Sequence, residues 1–153
     1  MKAQEKRISD VKRFAGVYRC VECGKCVAVC PMSDMYVNFS IAMSPRGIIK
    51  KAIVGENVVG DENIWYCTEC NAGTDVCPQG VSCRDLIHGL REIAMDDMIP
   101  ANMKQCIVCH KPFVAVPVEH FVFARLSAEA PNVIRVLELC PSCRRERYME
   151  RNA

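Results

Sequence analysis

Four cysteines near the start of the chain have the spacing of iron–sulfur ligands. The run consists of Cys20, Cys23, Cys26 and Cys30, followed at once by Pro31. In such a run the first three thiolates hold one cubane cluster, and the fourth, beyond a turn, ligates a second cluster. A pair of zinc knuckles is the alternative interpretation, but zinc sites seldom crowd four cysteines this closely. The run therefore predicts half of a two-cluster iron–sulfur site.

A second run repeats the first with one substitution. Its members are Cys67, Cys70, Cys77 and Pro78. Gly73 stands where the third cysteine of the run would be. A cubane needs four ligands. Since the last cysteine of each run ligates the other cluster, Cys77 belongs to the first cluster, and only Cys67, Cys70 and Cys30 remain for the second. The missing ligand leaves three possibilities: a three-iron cluster, a substitute ligand, or an iron corner that is open to water or substrate.

A third cysteine set lies near the C-terminus. It consists of Cys106, Cys109, Cys140 and Cys143. Two such knuckles with an insert between them are the ligand set of a tetrahedral four-cysteine site. The spacing is also that of rubredoxin, but His110 and Arg144 stand where rubredoxin knuckles usually carry glycine, which favours zinc over a single iron. Because a segment below about 70 residues needs a staple for its core, we expect the metal to stabilise the fold.

One cysteine of the twelve remains outside these sets, and it bears on the missing ligand. Cys83 is therefore the first candidate to replace the absent cysteine at Gly73, and Asp75 is the second. Cys83 lies six residues beyond Cys77 at the start of a predicted helix. The sequence does not decide whether its side chain reaches the second cluster. A small buried thiol with no ligand role is the alternative interpretation of Cys83.

Composition and charge exclude several classes of function. The chain has 153 residues and a formal net charge of +2, which argues against a nucleic-acid binder driven by bulk charge. Residues 1–7 are polar and lead into no apolar signal region, and no apolar run approaches the roughly 18 residues needed to span a bilayer. We expect a cytoplasmic protein, membrane-associated at most through partners, whose thiols bind metal rather than form disulfides.

Helices must position the two N-terminal cysteine runs. Apolar residues recur at helical spacing in residues 1–16. Ser44-Pro45 predicts a capped helix that ends at Gly55, and Ser82 with Asp85 predicts a capping box at the start of another. The predicted fold class is therefore mainly α. It combines an α-helical ferredoxin domain at residues 1–99, with two iron–sulfur clusters, and a small four-cysteine zinc-ribbon-like module at residues 100–153.

Five segments between residues 19 and 92 carry a family resemblance. They are Cys20 to Pro31, Ser44 to Arg46, Ile64 to Cys67, Cys77 to Val81 and Leu90 to Ile93. Together they resemble the C subunit of heterodisulfide reductase, and the same helical fold occurs in the iron–sulfur subunit of succinate dehydrogenases. The resemblance implies a subunit that passes electrons between a flavin-bearing subunit and a catalytic subunit through two cubane clusters.

The family's interleaved pattern implies two ligand sets. The first cluster would be held by Cys20, Cys23, Cys26 and Cys77. The second would be held by Cys30, Cys67 and Cys70, with Cys83 as the tentative fourth ligand. The implied cofactors are thus one 4Fe–4S cluster, a second cluster that is 4Fe–4S or 3Fe–4S, and one zinc ion at the C-terminal set.

The C-terminal segment resembles a different group of proteins. Cys106 to Phe113, together with Leu139 to Arg145, is similar to the short four-cysteine tail on ferredoxin-like subunits of hydrogenase and formate hydrogenlyase complexes. This resemblance is shorter than the first one. It implies the same setting, a relay subunit within a large redox complex.

The leading prediction is an electron-transfer subunit of a multi-subunit oxidoreductase of the heterodisulfide reductase type. The chain shows no nucleophile–base constellation and no glycine-rich phosphate loop, so no catalytic residue is assigned and the substrate chemistry would belong to partners. One alternative is an open iron at the incomplete cluster that acts on a small substrate or a disulfide. A second alternative is a zinc-only interaction module.

Overall fold

Two units make up the chain, Met1–Met98 and Ile99–Ala153. The computed structural model describes residues 2–97 and 102–150 of them. Helices dominate both units, which confirms the prediction of a mainly α protein. None of the helices in the described ranges is both long and apolar enough to cross a membrane.

Within residues 2–97, the N-terminal unit has six α-helices and three short 3-10 helices. The α-helices are α1 (Lys2–Phe14), α2 (Lys25–Ala28), α3 (Met32–Met35), α4 (Pro45–Val54), α5 (Ala72–Asp75) and α6 (Cys83–Asp97). The 3-10 helices are Val17–Arg19, Ile41–Met43 and Glu62–Trp65. The long helices α1, α4 and α6 thus frame two short segments that each contain a cysteine run.

Helix α4 begins and ends where its sequence predicts. The Ser44 hydroxyl accepts a hydrogen bond from the backbone N–H of Gly47 at 3.1 Å, and Pro45 occupies the first turn. Gly55 ends the helix with a left-handed backbone (φ 85°), the usual conformation of a C-terminal glycine. Both caps therefore act as local sequence signals.

The start of α6 has only half of the predicted capping box. The Ser82 hydroxyl accepts from the backbone N–H of Asp85 at 3.2 Å, as predicted. The N–H of Ser82 donates to the carbonyl of Ala15 at 3.0 Å instead of pairing with the Asp85 side chain. A tertiary hydrogen bond thus replaces the second half of the box and fixes α6 to the end of α1.

The core of this unit forms where α1 and α4 pack near α6. Its most deeply buried aliphatic side chains, each at most 1% exposed, include Val17, Ile48, Ile64, Leu86, Ile87, Leu90 and Ile93. Gly89 allows α1 to approach α6 closely, because a Cβ at this position would lie 2.7 Å from both methyl carbons of Val11. The close packing offsets the roughly 1 kcal/mol that a mid-helix glycine costs relative to alanine.

The C-terminal unit is a hairpin followed by helices. Strands β1 (Met103–Gln105) and β2 (Pro112–Ala115) pair antiparallel, and their turn contains the first two cysteines of the third set. Helix α7 (Val116–Glu129), a 3-10 helix (Pro131–Glu138) and α8 (Pro141–Glu150) follow. The other two cysteines of that set lie just before α8 and in its first turn.

Candidate metal centres

The two N-terminal cysteine runs share one backbone conformation. Glu22 and Glu69 each precede the second cysteine of their run, and both adopt a left-handed conformation, with φ of 53° and 54°. Residues with a side chain seldom adopt this conformation. Short helices, α2 and α5, then begin two residues after Cys23 and Cys70. The sequence repeat is therefore also a structural repeat of two metal-binding loops.

Each left-handed glutamate is held by a cation from a longer helix. Glu22 forms ion pairs with Arg46, at 3.2 Å, and with Lys50, both from α4. The Lys50 and Arg46 hydrogen bonds lower the pKa of Glu22. Glu69 pairs in the same way with Arg91 and with Nδ1 of His88, at 3.0 Å, both from α6. The following helices thus fix the shape of the loops.

The thiols of the first predicted ligand set lie together. A small cavity is lined by Cys20, Cys23, Cys26 and Cys77, and also by Gly73 and Cys83. Burial raises the pKa of Cys26, and the neighbouring thiolates of Cys20, Cys23 and Cys77 raise it further. The four cysteines of the predicted set, all around one cavity, are a donor set suited to a cubane cluster.

Three thiols of the second predicted set are also mutual neighbours. Burial raises the pKa of Cys67 to about 11, with contributions from the Cys70 and Cys30 thiolates and an opposing one from Arg91. Burial likewise raises the pKa of Cys30, and Cys70 adds to the effect. Cys70 is exposed, as is Cys23 in the first set, so each group contains one exposed cysteine.

Cys83 lies between the two groups. Its side chain is buried, at 7% exposure, at the first residue of α6. Burial raises its pKa well above the usual value, and the thiolates that add to this effect are, in order, Cys67, Cys26, Cys30 and Cys70. Three of these four belong to the second group. Asp75, the other candidate substitute, is exposed.

Gly73 faces the first group of thiols. A Cβ at this position would lie 3.2 Å from the Cβ of Cys26, closer than nearly all such contacts. The glycine therefore leaves room for Cys26, and a side chain there would crowd it. Sequence comparison of the two runs reveals the missing cysteine but gives no sign of this contact.

A buried arginine braces the second loop, and no pattern in the sequence predicts it. The Arg91 guanidinium donates to the carbonyl of Ile64 at 2.6 and 2.9 Å and to the carbonyl of Cys67 at 2.6 Å. It also lies 5.5 Å from the centre of the Trp65 ring. These contacts fix the segment that leads into Cys67 and place a positive charge beside its thiol.

The four cysteines of the C-terminal set converge on one point. Their sulfurs all lie within 4.8 Å of one another, and the Sγ atoms of Cys109 and Cys140 are 3.7 Å apart. A tetrahedral ion with metal–sulfur bonds of about 2.3 Å requires sulfur–sulfur edges of about 3.8 Å. The spacing therefore fits a tetrahedral metal ion.

Backbone amides prepare these thiols for a cation. The N–H of Cys109 donates to Cys106 and is the main cause that lowers the pKa of Cys106 to about 6. The N–H of Cys143 likewise lowers the pKa of Cys140. A side-chain hydrogen bond with Cys140 is the main cause that raises the pKa of Cys143 to about 12. Four thiolates this close together would repel one another, and a bound divalent ion would compensate their negative charge.

His110 follows the first knuckle in the conformation that glycine favours. Its φ is 57°, in the left-handed region, where histidine is more common than most residues with side chains. His110 is one of the two departures from the rubredoxin pattern. The departure changes the residue at this position and leaves the turn unchanged.

Known proteins match the N-terminal unit. Residues 16–81 match the family of the 4Fe–4S dicluster domain. These residues are therefore similar to a dicluster ferredoxin domain. The match confirms the predicted iron–sulfur domain of electron-transfer type. It ends before Cys83, so it does not assign that residue.

Curated relatives of this chain are named as C subunits of heterodisulfide reductase or as proteins like them. A protein of Archaeoglobus profundus, described as like the heterodisulfide reductase C subunit, is 26% identical over 61% of this chain and 50% of its own length. An iron–sulfur C subunit of the CoB–CoM heterodisulfide reductase of Methanocaldococcus jannaschii is 33% identical over 49% of this chain and 38% of its own length.

A further relative is the C subunit of the ferredoxin:CoB–CoM heterodisulfide reductase of Methanosarcina acetivorans. It is 33% identical over 55% of this chain and 32% of its own length. The chain thus spans half or less of the length of these curated relatives. Their names confirm the predicted resemblance, and they describe subunits of larger assemblies.

Proposed function

We propose that this chain is an electron-transfer subunit of a multi-subunit oxidoreductase of the heterodisulfide reductase type. It would relay electrons between a flavin-bearing subunit and a catalytic subunit in the cytoplasm or at a membrane surface. The observation that carries the proposal is the division of the N-terminal thiols into two neighbouring groups inside a dicluster fold. Two iron–sulfur clusters, when bound, supply reversible one-electron chemistry.

The two groups differ in how fully they supply ligands. Cys20, Cys23, Cys26 and Cys77 provide four thiolates for the first cluster. For the second cluster, Cys30, Cys67 and Cys70 provide three. The exposed residues Cys23 and Cys70 would give each cluster one edge near the surface. A relay needs two such edges, one toward the donor and one toward the acceptor.

Cys83 supplies the fourth ligand of the second cluster in this proposal. Cys83 lines the cavity of the first group, but that group already has four thiolates, whereas the second lacks one, and Cys67 is the thiolate that acts most on Cys83. Burial strongly disfavours an isolated thiolate at this position, whereas bonding to iron deprotonates a coordinating thiol. The exposed carboxylate of Asp75 lacks this burial. The cluster would therefore be a complete 4Fe–4S cube.

Electron paramagnetic resonance tests both parts of this proposal. The recombinant chain would be assembled and purified anaerobically, then measured as isolated and after dithionite. We expect about eight cluster irons per chain and two reducible four-iron centres. A colourless protein that contains only zinc would overturn the electron-transfer assignment.

The Cys83→Ser variant separates the ligand from the function. We expect it to lose or alter one of the two reduced signals and to leave the other unchanged. Ser82→Ala is the matched control, because it weakens the cap of the same helix and removes no thiol. If Cys83→Ser and wild type have the same spectra and iron content, Cys83 is not a ligand, and the second site is a three-iron or open-corner cluster.

We further propose that the C-terminal four-cysteine site holds one structural zinc. The sulfur spacing and the amide donors support a closed tetrahedral site, and four protein ligands leave no position for substrate. The small size of the unit supports a folding role. The partner subunits would then be bound by this unit, by the ferredoxin unit, or by both.

A further inference from the structure

The C-terminal unit contains a groove that the electron-transfer proposal does not use. Its volume is about 840 Å³, and it lies between the 3-10 helix Pro131–Glu138 and α8. The lining residues are Arg135, Val136, Leu139, Pro141, Arg144, Arg145, Arg147 and Tyr148. Four of the eight are arginines and none is acidic. We call this feature the arginine groove.

Three of the arginines have no partner among residues 2–97 and 102–150. Arg135, Arg145 and Arg147 are exposed, and none of them forms an ion pair or a side-chain hydrogen bond within those ranges. By contrast, Arg125 on the neighbouring helix α7 pairs with Glu129 at 2.8 Å. The groove therefore concentrates positive charge that the described part of the chain leaves uncompensated.

The fourth arginine is fixed in place. The Nε atom of Arg144 donates to the carbonyl of Leu139 at 2.7 Å, and its guanidinium lies 5.9 Å from the centre of the Phe113 ring. Leu139 itself is buried, at 3% exposure, and Val136 beside it is 44% exposed. The groove thus has an apolar floor and a rim of guanidinium groups.

We propose that the arginine groove binds an acidic segment of a partner subunit, one with apolar side chains between its carboxylates. An apolar centre with a polar rim and abundant arginine is the composition of a protein interface. A small-molecule site would instead surround its ligand and bury the groups that recognise it. Guanidinium groups bind carboxylates with paired hydrogen bonds, which suits glutamate and aspartate side chains. This inference rests on the proposal that the chain works within a complex.

The first experiment measures capture of partner subunits. The tagged recombinant chain, loaded with its clusters, is mixed anaerobically with an extract of the source cells. In the variant Arg145→Glu/Arg147→Glu we expect about a tenfold loss of capture, equivalent to about 1.4 kcal/mol. Arginine and glutamate have similar helix propensities, so α8 should keep its fold, which circular dichroism and zinc content would check. Lys111→Glu/Arg125→Glu makes the same change in net charge at exposed residues outside the groove and should leave capture unchanged. Because Arg125 pairs with Glu129, circular dichroism and zinc content are checked for this control too.

The second experiment identifies what occupies the groove. Tyr148 is replaced by the photo-crosslinker benzoylphenylalanine, the mixture is irradiated, and the crosslinked partner peptide is sequenced by mass spectrometry. We expect a peptide with net negative charge. The same crosslinker at Phe123 of α7, which does not line the groove, should yield less of this peptide or none.

Three results would overturn the proposal. The first is equal capture by the wild type and by Arg145→Glu/Arg147→Glu. The second is a crosslinked peptide that is neutral or basic. The third is binding of ATP or inorganic phosphate in the groove that blocks the crosslink, which would assign the groove to a small anion. A chain that shows both reduced clusters by electron paramagnetic resonance but captures no partner overturns the groove proposal while the cluster assignment stands.

Discussion

Arg91→Met is expected to destabilise the ferredoxin unit strongly. The change keeps a long aliphatic side chain but removes the donors that reach the carbonyls of Ile64 and Cys67. It also leaves Glu69 without its main cation. Since these groups lie just before and within the second cysteine loop, losing their contacts with Arg91 should weaken binding of the second cluster first.

The magnitude follows from burial. The side chains of Arg91 and Glu69 are 9% and 24% exposed. Removing one partner of a buried ion pair costs about 3–5 kcal/mol, and the partial exposure of Glu69 favours the lower end, about 3 kcal/mol. For a unit of this size about 1 kcal/mol shifts the melting temperature by 4–8 °C, so a drop of roughly 12 °C or more is expected.

Thermal loss of the clusters measures this effect. The bleaching of cluster absorbance is followed anaerobically at a fixed heating rate for wild type, Arg91→Met and Arg91→Lys. Lysine keeps the charge but not the planar fork, so its midpoint should lie between the other two. Arg91→Met should also lower the reduction potential of the second cluster, because a nearby positive charge is lost.

The control for Arg91 lies on the same helix. Arg84 is exposed and makes one 3.3 Å hydrogen bond to Asn71, so Arg84→Met should shift the midpoint by only a few degrees at most. The reasoning would be refuted if Arg91→Met melted within about 4 °C of wild type, the shift expected for 1 kcal/mol or less. An unchanged potential of the second cluster would remove the electrostatic part of the argument.

Three further outcomes are expected. Cys106→Ser should lose the roughly one zinc per chain that we expect metal analysis to find in the wild type, together with the thermal stability of the C-terminal unit; unchanged zinc and stability would contradict the site. Gly89→Ala should destabilise the ferredoxin unit by about 1–3 kcal/mol through overpacking against Val11, despite alanine's better helix propensity. Adding Val11→Ala should relieve this loss, and a Gly89→Ala variant more stable than wild type would contradict the packing. Asp61 accepts from the backbone N–H of Asn63 at 2.9 Å and pairs with Lys51, so Asp61→Asn should cost about 1 kcal/mol in unfolding measurements. Burial raises the pKa of Asp61, but the Lys51 and Asn63 hydrogen bonds outweigh it and hold this pKa below the usual 3.8. The carboxylate's contribution to stability is therefore fully present above pH 3.8 and is lost only as the pH falls through the lowered pKa. The difference in the free energy of unfolding between variant and wild type should therefore be equal at about pH 6 and about pH 8. A difference that shrinks between these two values would contradict this account.

The sequence by itself predicted the metal sites and determined local elements. Short spacings such as Cys106-x-x-Cys109 predict metal ligands because two intervening residues place both sulfurs on one turn. Ser44-Pro45 and Gly55 likewise predicted the limits of α4, because capping depends on neighbours along the chain. The repeat of the cysteine run could also be recognised, because aligning the second run with the first shows that Gly73 replaces a cysteine.

Only the tertiary structure decided which distant groups meet. Cys83 lies near thiols of both groups because α6 begins there, and no local spacing reveals this. Arg91 has the composition of a surface residue, yet it is buried against the carbonyl of Ile64, 27 positions away along the chain. The arginine groove exists because Arg135 and α8 come together. Such contacts depend on how helices pack, which is set by side chains far apart in the chain, and the pattern within a single segment therefore does not specify them.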